Sequence, residues 1–86
     1  MKNENYNGWK NKSTWNVSLW IQNDEGMYRS ALFYVKAAVA RGNKKLYSGF
    51  IHSEGLGNSK TPDGIKWLST RLDYEALNNM MRELIA

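Results

Sequence analysis

Between Ser13 and Asn23 the apolar residues follow two competing periods. Trp15, Val17, Leu19 and Ile21 alternate with Asn16, Ser18 and Gln22, which is the strand period, but Trp20 would then lie on the polar face. At helical spacing Trp15 pairs with Leu19 and Val17 with Ile21, and Asn11 or Ser13 offers a cap. The segment is expected to be a helix, apolar round most of its circumference and therefore largely buried. The next stretch has a single period. Tyr28, Leu32, Val35 and Val39 recur at spacings of four, three and four, and Met27, Ala31 and Ala38 widen the stripe. Asn23 as N-cap, Asp24 and Glu25 on the first turn, and Arg41-Gly42 at the far end frame a long amphipathic helix.

Leu46, Phe50 and Ile51 predict a short helix within Lys44 to Glu54, stopped at Gly55. Gly55 to Gly64 is a loop closed by Thr61-Pro62-Asp63-Gly64, whose Pro and Gly fit a β-turn. Ile65 to Leu68 is expected to be extended, with Trp67 anchoring the loop to the core. The last helix has a complete start signal, with Asp73 as cap and Leu72 placed to staple against Leu77. Leu77, Met80, Met81 and Leu84 then share one face. The fold class is mainly α: a small bundle of three or four helices around an aromatic core, with one long Gly-rich loop. Residues 1–10 are polar and Asn-rich and are expected to form a mobile arm except where Trp9 docks, leaving residues 11–86 as a single helical domain.

Length limits the core. A chain of 86 residues makes one domain, and at this size only about 60–65% of the unfolded surface is buried, so large side chains must fill the interior. Four Trp, five Tyr and two Phe are available for that purpose. With no cysteine, disulfides, thiolate metal sites and a cysteine nucleophile are excluded. The first residues lack the apolar run of a signal peptide and no stretch is long enough to span a membrane, so a cytoplasmic protein with no membrane partner is expected.

The charge is mildly basic, net +4 from 12 basic and 8 acidic residues. Residues 1–43 hold six basic and three acidic groups, and residues 44–86 hold six and five. Lys44-Lys45 is the only adjacent basic pair. A spread of this kind serves solubility, whereas a nucleic-acid footprint usually clusters on one stripe.

Catalytic groups are scarce. His52 is the only histidine, so a two-histidine metal site is impossible, and Ser48 and Ser53 lack a nucleophile-elbow context. Asp24 and Glu25 are adjacent on a helix and point about 100° apart, so they do not converge as an acid–base pair. Gly55 to Thr61 superficially resembles a phosphate-binding loop, but Ser59 and Glu54 stand where that pattern needs glycine. No enzyme, cofactor or metal is expected.

The four tryptophans need a separate explanation. Trp15 and Trp67 are assigned to the core. Trp9 lies in a polar segment beside Gly8, and the helical period does not force Trp20 inward. Each is either a local packing lid or an anchor for a partner, since Trp and Tyr dominate interface hot spots and stack on bases.

The run from Asn7 through Trp9, Asn11, Thr14, Trp15, Val17, Leu19 and Trp20, followed by Asn23-Asp24-Glu25-Gly26, is similar to a pattern written N-G-W-x-N-x-x-T-W-x-V-x-L-W…N-D-E-G. Thr61-Pro62-Asp63-Gly64-Ile65-Lys66-Trp67 continues the likeness. The chain resembles a family of small, largely uncharacterised proteins encoded by bacteriophages, cyanophages among them, and by some bacteria. The resemblance implies a phage or mobile-element setting, in which small proteins without catalytic groups often bind a host protein and block it.

The leading expectation is a non-enzymatic interaction module that binds a host or viral protein. Trp9 and Trp20 would anchor it, and Asn11, Asn23, Asp24 and Glu25 would fix register. The rival expectation is a nucleic-acid-binding accessory that uses Lys10, Lys12, Lys44, Lys45 and Lys60, with Trp9 stacking on bases. Either would act as a monomer or a homodimer.

Overall fold

A computed structural model describes residues 8–86 and contains four helices, α1 Lys12–Asn23, α2 Glu25–Ala40, α3 Leu46–Ser53 and α4 Tyr74–Glu83. Residues 1–7 of the expected arm lie outside the described residues. The ambiguous first segment is a helix. The Asn11 side chain caps it, accepting from the Thr14 backbone N–H at 2.9 Å.

Helix α1 turns into α2 at one residue. The Asp24 N–H donates to the Trp20 carbonyl and closes α1, while its carboxylate accepts from Met27 N and opens α2. Asp24, not Asn23, is therefore the cap of the long helix, because Asn23 is still the last residue of α1. At the far end Gly42 takes a left-handed φ of 77°, as expected of a glycine just beyond a helix.

The buried faces differ from the predicted stripes. In α1 the buried positions are Thr14, Asn16, Val17, Ser18 and Ile21, and three of the five are polar. Trp15, assigned above to the core, is half-buried, as is Leu19. In α2 the buried positions are Ala31, Val35 and Ala38; Tyr28 and Val39, 36% and 39% exposed, sit at the rim. The helix is thus turned so that its small residues face inward, which lets α1 and α3 pack closely on it.

Helix α3 has no cap from its own chain end. Lys45 makes no side-chain cap bond, and Asn78 of α4 accepts from Tyr47 N at 2.8 Å instead. Helix α4 begins as expected, with Asp73 accepting from Ala76 N at 3.1 Å and with Leu72 and Leu77 buried. Between α3 and α4 the chain makes one isolated antiparallel bridge, Lys60 to Lys66, and the described residues form no strand. Ile65 to Leu68 is thus a bridge followed by a turn, but Trp67 does anchor it at 3% exposure.

The core holds Val17, Ile21, Ala31, Val35, Ala38, Leu46, Tyr47, Phe50, Ile51, Trp67, Leu72, Leu77 and Met81. Only three of these are aromatic, so the centre is mainly aliphatic, and Trp9, Trp20, Tyr34 and Tyr74 pack against it from the edge. Buried Tyr47 is satisfied by donating its hydroxyl to the Trp67 carbonyl at 2.6 Å. It also meets Tyr74 edge-on, ring centroids 5.9 Å apart.

Candidate functional site

Asn16 and Trp20, four residues apart on α1, present their N–H groups on the same side. Both donate to one carboxylate oxygen of Asp63, Asn16 Nδ2 at 2.8 Å and Trp20 Nε1 at 3.0 Å. Buried Thr61 donates to Asn16 Oδ1 at 2.8 Å, and its hydroxyl accepts from Ile65 N. The Gly64 N–H to Thr61 carbonyl bond at 2.8 Å closes the expected β-turn, with Gly64 at φ 90°. These contacts bolt the Thr61–Gly64 turn to α1. The bonds from Asn16 and Trp20, with Lys12 nearby, hold the Asp63 carboxyl below the usual carboxylate range.

A second clamp lies one turn earlier. The Thr14 hydroxyl donates to Asn11 Oδ1 at 2.7 Å and accepts from Asp73 N at 2.9 Å. Asn11 Nδ2 donates to the Arg71 carbonyl at 2.8 Å. The starts of α1 and α4 are therefore tied together. Gln22 near the end of α1 and Glu83 at the end of α4 both line one groove.

That groove, about 580 Å³, is lined by Gly8, Trp9, Gln22, Ala76, Asn79, Met80, Glu83 and Leu84. Gly8 has φ 91°, a left-handed turn that favours glycine, and it leads Trp9 onto the core. Trp9 is half-buried and supplies one apolar wall; Met80 and Leu84 supply the other. Among the described residues the polar members are two amides and one carboxylate, with no lysine or arginine.

The other expected binding residues are occupied in different ways. Trp20 is half-buried with its N–H engaged, and Asn11 and Asp24 are helix caps. Asn23 and Glu25 are exposed, Glu25 in an ion pair with Arg29 at 2.6 Å. Only Trp9 of this set lines the groove. Lys10, Lys12, Lys44, Lys45 and Lys60 are all exposed, at the start of α1, in the α2–α3 connection and in the loop respectively. His52 is exposed beside a cleft of about 390 Å³ that Lys45, Ser48, Leu68, Tyr74 and Asn78 complete. Among the described residues no three of His, Asp or Glu gather to hold a metal.

One feature of the surface was missed by the sequence reading. Phe33 is 80% exposed on α2. It lies two residues, about 200° of rotation, from both Ala31 and Val35, on the opposite side of the helix. Its position off the predicted stripe was the available signal.

No curated protein and no solved structure matches the chain. A family match spans residues 2–86. The chain belongs to DUF7249, a family of unknown function.

Proposed function

We propose that this chain is a non-enzymatic interaction module that binds a host or viral protein in a phage or mobile-element setting, blocking a host enzyme or defence complex. The observation that carries this reading is the groove between α1 and α4. Its walls, Trp9, Met80 and Leu84, can take an apolar anchor from a partner, and Gln22 and Asn79 can bond its backbone. An aromatic in a pocket with a polar rim is the usual chemistry of a protein hot spot. Glu83 in the lining disfavours a phosphate backbone there.

Affinity capture with the wild type, Trp9→Ala, Met80→Glu and the double variant Lys44→Glu/Lys45→Glu tests it, each variant checked for native circular dichroism. A captured protein that disappears with Trp9→Ala and Met80→Glu and survives the lysine reversal is the expected result. Capture that is insensitive to both groove variants overturns the reading. Capture abolished by nuclease treatment or by the lysine reversal assigns the nucleic-acid alternative instead.

A further inference from the structure

We propose that the cleft between α3 and α4 binds a phosphomonoester carried on a flat ring, a ligand of nucleoside monophosphate size. Its walls come from one stripe on each helix. Lys45, Ser48 and His52 follow one another at spacings of three and four from the start of α3, so they share a face. Tyr74 and Asn78, four apart, do the same on α4, and Leu68 of the loop between the helices completes the lining.

The polar atoms these walls have left to offer are donors. Asn78 Oδ1 already accepts from Tyr47 N at 2.8 Å, so its NH2 is the group that can bond a ligand. Among the described residues the Lys45 ammonium forms no ion pair and the Ser48 hydroxyl no hydrogen bond. His52 adds a ring N–H. Among the described residues no carboxylate lines the cleft; Glu75, next to Tyr74 on α4, is exposed and outside the lining. One cation with several neutral donors suits the three terminal oxygens and near-double charge of a phosphomonoester better than the two oxygens of a carboxylate.

The rest of the wall is apolar and fixed. The Tyr74 hydroxyl donates to the Ser69 carbonyl at 2.9 Å and its ring meets Tyr47 edge-on, so what it presents to the cleft is ring carbon. Leu68 and the His52 ring meet across Gly57, where a Cβ would lie 3.5 Å from His52 Nδ1 and 3.7 Å from Leu68 Cδ1. A flat ring can stack on this surface while its phosphate meets the donors beside it. The volume, about 390 Å³, is at the lower end of the roughly 300–1,000 Å³ of small-ligand sites and matches a single nucleotide.

The cleft lies on the far side of α4 from the Trp9 groove. Ala76, Asn79, Met80 and Glu83 centre roughly 170° round the helix from Tyr74 and Asn78. The proposal therefore does not depend on the reading of that groove.

Amide NMR titrations of the full chain with adenosine and uridine 5′-monophosphates, adenosine and inorganic phosphate test it. At least one monophosphate should saturate below about 10 mM and shift Ser48, His52 and the Asn78 side-chain NH2, with adenosine and phosphate each at least about tenfold weaker. Asn78→Asp keeps an oxygen for Tyr47 N but sets a negative charge in place of the NH2. It should stay folded and lose at least about tenfold in affinity, and Lys45→Gln, at an exposed position, should lose about as much. Asn79→Asp, the same charge change on the other side of α4, and Trp9→Ala should bind like the wild type. The proposal is overturned if neither monophosphate binds, if the shifts centre elsewhere, or if Asn79→Asp weakens binding as much as Asn78→Asp. Inorganic phosphate that binds as tightly as the nucleotides overturns the ring wall, and adenosine that does so overturns phosphate recognition.

Discussion

Thr14 provides the sharpest test of how this small domain is tied together. It is fully buried, and its hydroxyl both donates to Asn11 and accepts from the backbone of Asp73. Replacing it with valine keeps the shape and removes both bonds. The lost bond to Asn11 costs about 0.5–1.5 kcal/mol net, and the Asp73 N–H left without its partner costs about 1–3 kcal/mol when kept from water. The extra methyl returns less than about 1 kcal/mol. Thr14→Val should therefore destabilise by roughly 1.5–3 kcal/mol, a fall in Tm on the order of 10 °C for a domain of this length. Thr14→Ser keeps the hydroxyl and loses one methyl, for about 1 kcal/mol. The order matters more than the size, because apolar burial alone would make valine the better replacement. Urea titrations followed by tryptophan fluorescence and circular dichroism give both values. Asn11→Ala combined with Thr14→Val should cost less than the sum, since the two share one bond. A valine variant as stable as the wild type, or less harmed than the serine variant, would refute the clamp.

Three further outcomes follow from other contacts. Tyr47→Phe removes a buried hydrogen bond to Trp67 and should cost about 1–2 kcal/mol at neutral pH. Burial raises the Tyr47 phenol above its ordinary value, so its stabilisation is complete below pH of about 10 and fades as the pH rises further. Urea midpoints for wild type and variant should therefore converge in strong alkali; a constant gap would contradict this. The Asp63 carboxyl is lowered by bonds from Asn16 and Trp20, so its contribution holds above the ordinary carboxylate value and is lost as the pH falls through the lower folded one. The Trp20 indole N–H resonance should report that low midpoint by NMR, and Asn16→Ala should move it upward; a wild-type midpoint at or above the ordinary value would rule out the clamp. A Cβ at Gly49 would run into the Tyr34 hydroxyl, so Gly49→Ala should destabilise by about 1–3 kcal/mol. Tyr34→Phe in the same chain should recover most of that loss in thermal melts, and failure to do so would place the strain elsewhere.

The helix boundaries were legible because their causes are local. Asn11 and Asp73 each satisfy an N–H three residues onward, and Gly42 and Gly55 take the left-handed φ that ends a helix. Asp24 was placed on the first turn when it is in fact the cap, a shift of one residue that arises because α1 and α2 share a single corner residue. The candidate site was less legible. Trp20 could not be separated from an exposed anchor, because the group that engages its N–H, Asp63, is 43 positions away.

What the sequence determined by itself is which segments are helical and where each stops, since capping and periodicity act within a turn or two. Only the tertiary structure decided how each helix is rotated about its own axis. Thr14 and Ser18 face inward despite their hydroxyls, because the first finds Asp73 N and Asn11, and the second the Trp15 carbonyl. Phe33 faces outward despite its ring, because Ala31, Val35 and Ala38 already fill the opposite side of α2. A buried polar group is stable where its partner stands, and for Thr14, Asn16 and Trp20 that partner lies 43 to 59 residues along the chain, beyond the reach of any local pattern.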